Sequence, residues 1–233
     1  MVDVVTTGQA AQLLGVHPSR VRALVASGAL TATRSGTRWL IDADSLDRHA
    51  DLVTAGATGR PFASHTAWAA AALCDGMDDQ LRADDRYRLR NRLVHAGGAG
   101  ANTCAQMQRW LSRRATSVHR YRIADRDLKA LLVTDGVMAT GISAADTYRL
   151  GLATGGSADA YVSDDTRRAV VDEFVLIDSE RGNLTLRVTD ADIHQAAVAP
   201  RLIAGVDLAE GTDARTHAVG CALIDQALSK LRR

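Results

Sequence analysis

Residues 6–49 read TTGQAAQLLGVHPSRVRALVASGALTATRSGTRWLIDADSLDRH, and this stretch decides the fold of the N-terminal part of the chain. Thr6 and Thr7 precede residues 8–14, where Ala10, Leu13 and Leu14 share one face at helical spacing, so a capped helix is expected. Gly15 closes it. After Val16 a second helix begins at His17-Pro18-Ser19, because a proline at the first helical positions forfeits no hydrogen bond. Val21, Leu24 and Val25 give this helix its apolar stripe, and Ser27-Gly28 ends it. The β-prone runs 30–34 and 37–41 flank Ser35-Gly36 and predict a hairpin tipped with arginine. Asp42, Asp44 and Asp47 then open a third helix, where acids favour the positive end of the helix dipole.

Two short helices joined by a tight turn, the second carrying Ser19, Arg20 and Arg22 on its outer face, form an arrangement that fits a DNA major groove. The hairpin reads as a wing. Residues 6–49 resemble the excisionase-type branch of the MerR-like winged helix-turn-helix family, over about a fifth of the chain. The resemblance implies DNA contact through Ser19, Arg20 and Arg22 of the second helix and through Arg34, Thr37 and Arg38 of the wing. An arginine near the start of a recognition helix can pair with guanine O6 and N7, and a wing arginine can reach phosphate or a narrow minor groove. The competing reading makes Arg20 and Arg22 solvated surface residues of a protein-binding module. His17 reads as a helix cap or a packing residue rather than a metal ligand or switch, and Trp39 as the apolar anchor of the wing.

The whole chain has 233 residues, enough for two or three compact units, and its 46% hydrophobic and 24% charged content suits a globular protein with a real core. Its cations are almost all arginine, with Lys129 and Lys230 the only lysines, so the arginines are not by themselves a sign of phosphate binding. The net charge of +1 is uneven: +1 over residues 1–50, +4 over 51–125 and −4 over 126–233. No stretch approaches the roughly 20 apolar residues a membrane span needs, and the opening MVDVVTTGQA lacks the features of a secretion signal, so a cytoplasmic protein without membrane contact is expected. Cys74, Cys104 and Cys221 lie far apart with no CxxC, which predicts reduced thiols rather than a zinc ribbon or a disulfide framework.

The fold expected is mixed α/β in parts: a winged helix-turn-helix over 1–52, a Gly- and Pro-bearing linker over 53–62, a helical segment over 63–116 and an α/β domain over 117–233. The middle segment reads as helices over 64–74, 78–95 and 103–115. Arginines 82, 86, 88, 90 and 92 surround the second of these instead of lining one face, which favours a solvated helix over a phosphate-binding stripe. Beyond it, 118–123 reads as a strand, the region of Leu128, Leu131 and Leu132 as a helix, 143–150 as a helix, 160–162 as a strand and 164–171 as a helix. Residues 174–177 and 184–188 read as a hairpin turning at Arg181-Gly182-Asn183, 190–197 as a helix, 202–208 as a strand and 213–231 as a terminal amphipathic helix.

No phosphate-loop, dinucleotide, zinc-protease or serine-hydrolase motif occurs, so no catalytic residue, cofactor or metal is expected. The pairs Asp78-Asp79, Asp84-Asp85 and Asp164-Asp165 could gather a divalent ion but sit where helix starts explain them. His119, His194 and His217 read as structural.

The run HRYRIADRDLKALLVTDGVMATGISAADTYRLG (119–151), DAYVSD (159–164) and the final helix resemble the C-terminal domain of AbiE-type antitoxins, although the front end differs from that family's usual winged helix. The resemblance implies a repressor of its own toxin–antitoxin operon, which antagonises a nucleotidyltransferase-like toxin without a stable complex. Double-stranded DNA with repeated half-sites and a homodimer are the expected partners, since one short helix contacts few base pairs. The alternative is an excisionase-type accessory protein of a mobile element that bends DNA. A third reading, an enzyme acting on a small molecule, would need an apolar pocket in the last hundred residues.

Overall fold

The computed structural model describes residues 4–36, 38–56, 60–77, 79–98, 100–153, 155–192, 196–211 and 213–232. It is mixed α/β, with a helix-turn-helix region at the N-terminus. The chain starts with strand β1 (Val4–Thr6), whose last residue caps α1 (Thr7–Leu14): the Thr6 hydroxyl accepts from the Gln9 N–H while the Gln9 side chain accepts from the Thr6 N–H. This reciprocal box satisfies two of the backbone donors that a helix start leaves orphaned. Gly15, at φ +63°, ends the helix as expected. The buried positions of α1 are Ala10 and Ala11, however, and Leu13 is exposed, because the core lies one position round the helix from the stripe read in the sequence.

Helix α2 (Pro18–Ala26) is capped by the His17 ring and buries Val21 and Leu24. Strands β2 (Ala32–Ser35) and β3 (Arg38–Asp42) pair antiparallel as the wing, and β1, which the sequence did not announce, adds to the other edge of β3 to make a three-stranded sheet. Helix α3 (Ala43–Gly56) starts with the Asp42 carboxylate accepting from the Ser45 N–H and continues into the stretch read as a linker. Leu30, Ile41 and Leu46 close this small core with Ala10, Ala11, Val21 and Leu24.

The helices α4 (Ser64–Asp75), α5 (Ala83–Ala96) and α6 (Thr103–Trp110) follow, and α3 packs on α6. They share one core with two late helices, α9 (Arg201–Ala209) and α10 (Ala214–Ser229), so the middle and the end of the chain are built around the same apolar cluster. Residues 202–208 are therefore helix, not strand. Every residue of that run is buried, and an element buried on all sides shows no period by which helix and strand can be told apart. Helices α9 and α10 cross closely: a Cβ on Gly220 would lie 2.4 Å from the Ala209 nitrogen, which only glycine permits.

Between these helices run β4 (Ser117–Arg122), α7 (Leu128–Leu132), β5 (Met138–Ala139), β6 (Ala158–Val162), α8 (Asp164–Glu173), β7 (Ile177–Asp178) and β8 (Leu184–Val188). The strands form a sheet in the order β5-β6-β8-β4-β7, with β6 and β8 parallel and the other neighbours antiparallel. The expected hairpin of 174–177 with 184–188 does not form, because β4 inserts between β7 and β8 and pairs with both. Gly182 serves that insertion: a Cβ there would sit 2.1 Å from the Tyr121 carbonyl oxygen. Residues 141–144 form a short 3-10 turn and 145–149 continue as turns where a regular helix was expected. Of the expected helix over 190–197 the described residues are irregular, and 193–195 lie outside the described residues.

Candidate nucleic-acid interface

The helix-turn-helix positions α2 by burying one side of it. With Val21 and Leu24 held in the core, Ser19, Arg20 and Arg22 fall on the exposed side. His17 Nδ1 lies 2.9 Å from Ser19 Oγ and 3.3 Å from the Ser19 nitrogen, so the hydroxyl is tied into the cap at the helix start. Arg20 is near the half-buried His49 of α3, where burial and then the Arg20 charge lower the His49 pKa.

In the wing, Ser35 faces Arg38 and Arg34 faces Trp39 across the two strands. Directly paired residues project from the same face and neighbours from opposite faces, so Arg34 shares the face of Trp39, which packs on the core, while Arg38 projects from the other. The two arginines straddle the wing tip. Both are exposed. Thr37, the remaining wing residue read from the sequence, lies outside the described residues.

Among the described residues, no carboxylate comes within ion-pair distance of Arg20, Arg22, Arg34 or Arg38. The arginines of α5 are engaged differently. Arg86 holds Asp79 at 2.7 Å, Arg90 donates to the Leu231 carbonyl at 2.6 Å, and Arg92 lies over the Trp110 and Phe62 rings at 4.2 and 4.7 Å from their centroids. These contacts fasten α5 to its neighbours, although Arg82, Arg86 and Arg90 stay exposed as a solvated face implies, and Arg88 is 3.9 Å from Asp85 with most of its side chain in solvent.

Two of the three acidic pairs behave as helix starts, whereas Asp79 lies four residues before α5 and is held by Arg86. Asp84 and Asp85 occupy the first turn of α5, Asp164 and Asp165 that of α8, where they bind Arg167 and Arg168; Asp78 lies outside the described residues. His119 stacks on Tyr121, and His194 lies outside the described residues. One expectation fails on α10. Cys104 and Cys221 form a disulfide instead of remaining free thiols, because α6 and α10 pack side by side although the cysteines are 117 residues apart in sequence. His217 lies one helical turn before Cys221, with Nε2 3.5 Å from its sulfur. The signal was present as an i, i+4 spacing on the terminal helix. Cys74 is buried, which pushes its thiol up to about 12.

A cluster of buried charges that no motif announces joins the second sheet to α9. Asp207, fully buried on α9, accepts from Arg114 at 2.6 Å, from the Thr140 hydroxyl at 2.5 Å and from the Tyr161 hydroxyl at 3.2 Å. Arg187 reaches Asp159 at 3.1 Å and Glu210 at 2.9 Å. Burial lifts Asp159 to about 6, opposed by Arg187 and reinforced by Asp207. Each of these polar groups has a partner, so the cluster ties β6, β8 and α9 to the segment that follows α6.

The exposed cationic helix and wing define a helix-turn-helix domain of DNA-binding type. Residues 4–51 match the family model described as a helix-turn-helix domain, a span that contains α1, α2, the wing and most of α3. No curated protein and no solved structure matches the chain. Among the described residues no helix is long and apolar enough to cross a membrane.

Proposed function

We propose that this DNA-binding protein is a sequence-specific transcriptional repressor, which reads its operator as a homodimer with α2 in the major groove and the wing against the flanking backbone. In this reading it is the autoregulating antitoxin of an operon with a nucleotidyltransferase-like toxin, antagonising the toxin without a stable complex. It has no catalytic step and no cofactor. The observation that supports it is the contrast between arginines: Arg20, Arg22, Arg34 and Arg38 are exposed without a carboxylate partner among the described residues, whereas Arg86, Arg90 and Arg92 are spent on the protein's own packing. An unpaired guanidinium has no internal ion pair to break and keeps its donors for phosphate or guanine.

The test is binding of the full-length protein to the DNA upstream of its own gene, in excess unrelated competitor. Binding should survive the competitor and weaken about tenfold or more in Arg20→Ala, as loss of one charged hydrogen-bonded contact to the DNA implies. Equal affinity for both DNAs overturns the autoregulatory reading.

A further inference from the structure

On α10, His217 and Cys221 are one turn apart on the face that meets Cys104 of α6, and the ligand atoms of the three residues all lie within 4.8 Å of one another. His217 Nδ1 is 2.6 Å from the Ala209 carbonyl oxygen. A carbonyl can only accept, so Nδ1 carries the proton and the Nε2 lone pair faces the sulfurs. A disulfide alone has no use for an imidazole locked in this tautomer. A metal site does, since a ligating histidine characteristically donates its other N–H to a carbonyl, which fixes the ring and raises its basicity.

We propose that reduction of Cys104–Cys221 opens a site in which Cys104, Cys221 and His217 bind a thiophilic divalent cation, with Zn2+ the best fit. A dithiol supplies two electrons and two protons, leaving two cysteine thiols and its own cyclic disulfide; Zn2+ then displaces the two thiol protons to solvent as two Zn–S bonds form. The spacing suits the ion. With Zn–S about 2.3 Å and Zn–N about 2.05 Å, the S to N edge of a tetrahedron is about 3.6 Å, and Nε2 to Cys221 Sγ is 3.5 Å. Two thiolates and an imidazole are the donors zinc prefers over harder cations. A cavity of about 180 Å3 beside the sulfurs, lined also by Thr103, Asp225 and Arg48, leaves the fourth position to water or to the Asp225 carboxylate. Arg48 belongs to α3 of the helix-turn-helix domain, so the bound cation would lie where that domain meets the body.

The full-length protein is reduced with dithiothreitol, desalted without oxygen and titrated with Co2+, which reports thiolate ligation by charge-transfer bands and tetrahedral geometry by its visible bands. One Co2+ per chain is expected in the reduced protein and none in the oxidised protein, which has the same sequence and serves as its own control for folding. Cys104→Ser and Cys221→Ser should abolish the charge-transfer bands, His217→Gln should weaken Co2+ binding about tenfold or more, and Zn2+ should displace the Co2+. Absence of thiolate–cobalt bands in protein with its thiols verified free overturns the proposal, as does their persistence in Cys104→Ser.

Discussion

The arginines of α2 and the wing set a definite salt dependence for DNA binding. Each of Arg20, Arg22, Arg34 and Arg38 is exposed and lacks an acidic partner among the described residues, so each can neutralise one phosphate and release its condensed counterion. At about −0.9 per phosphate, four such contacts give a slope of about −3.6 in log K against log salt for each bound copy. Raising salt from about 50 to about 200 mM then weakens each copy's binding about 150-fold. The double variant Arg34→Ala with Arg38→Ala should retain a slope of about −1.8 and weaken only about 12-fold over the same range. Fluorescence anisotropy with a labelled duplex at five salt concentrations measures both slopes. Arg88→Ala is the comparison: it removes a side chain 79% exposed on α5 and should leave the slope unchanged. A double variant with the wild-type slope, or an Arg88→Ala variant that loses as much as the wing pair, refutes the assignment of phosphate contact to the wing.

Three further outcomes concern the body of the protein. Asp207→Asn uncouples Arg114 and Arg187 from a fully buried carboxylate and should destabilise by about 3–5 kcal/mol in urea denaturation; a loss below about 1 kcal/mol would show that Glu210 and Asp159 suffice without it. Asp159 keeps its proton in the folded state up to about pH 6, against about 4 when unfolded, so its contribution is complete below about pH 4 and is lost as pH rises through about 6. That loss is about 3 kcal/mol, and Asp159→Asn should remove it; a stability difference between wild type and variant that stays constant from pH 4 to about 7 contradicts this. Gly220→Ala puts a methyl group 2.4 Å from the Ala209 nitrogen and should cost about 1–3 kcal/mol by forcing α9 and α10 apart, whereas an unchanged melting temperature would mean the crossing gives way freely.

What could be read from the sequence was what is specified locally. Thr6, Gly15 and Pro18 mark the ends of α1 and α2 through backbone chemistry that acts within four residues, and Gly36 marks the wing turn. The arginines of the interface followed from those elements. Strand β1 escaped notice because three residues carry too little pattern, and the buried α9 because it has no polar face to give a period. The strand order of the second sheet is a property of the whole chain: β7 and β8 are close in sequence, but both bind β4, which lies some sixty residues earlier. The Asp207 cluster gathers residues from β6, β8, α9 and two connecting segments, and no spacing along the chain announces it. The Cys104–Cys221 pairing is equally remote, although its partner His217 stood in plain view at one helical turn.

The apolar core of the helix-turn-helix region and the one shared by α4, α9 and α10 differ in how far apart along the chain their members lie. The first closes within residues 4–46 through pairings such as Val4 with Asp42, whereas the second must bring Asp75 to Lys230 across 155 positions. Short loops close fast and long ones slowly, so on the ribosome the DNA reader can finish folding while α4 still waits for α9 and α10 to be made. A message cut short before residue 201 would therefore yield a folded reader trailing the bare apolar face of α4, a product suited to cellular proteases rather than a DNA-binding protein of reduced strength.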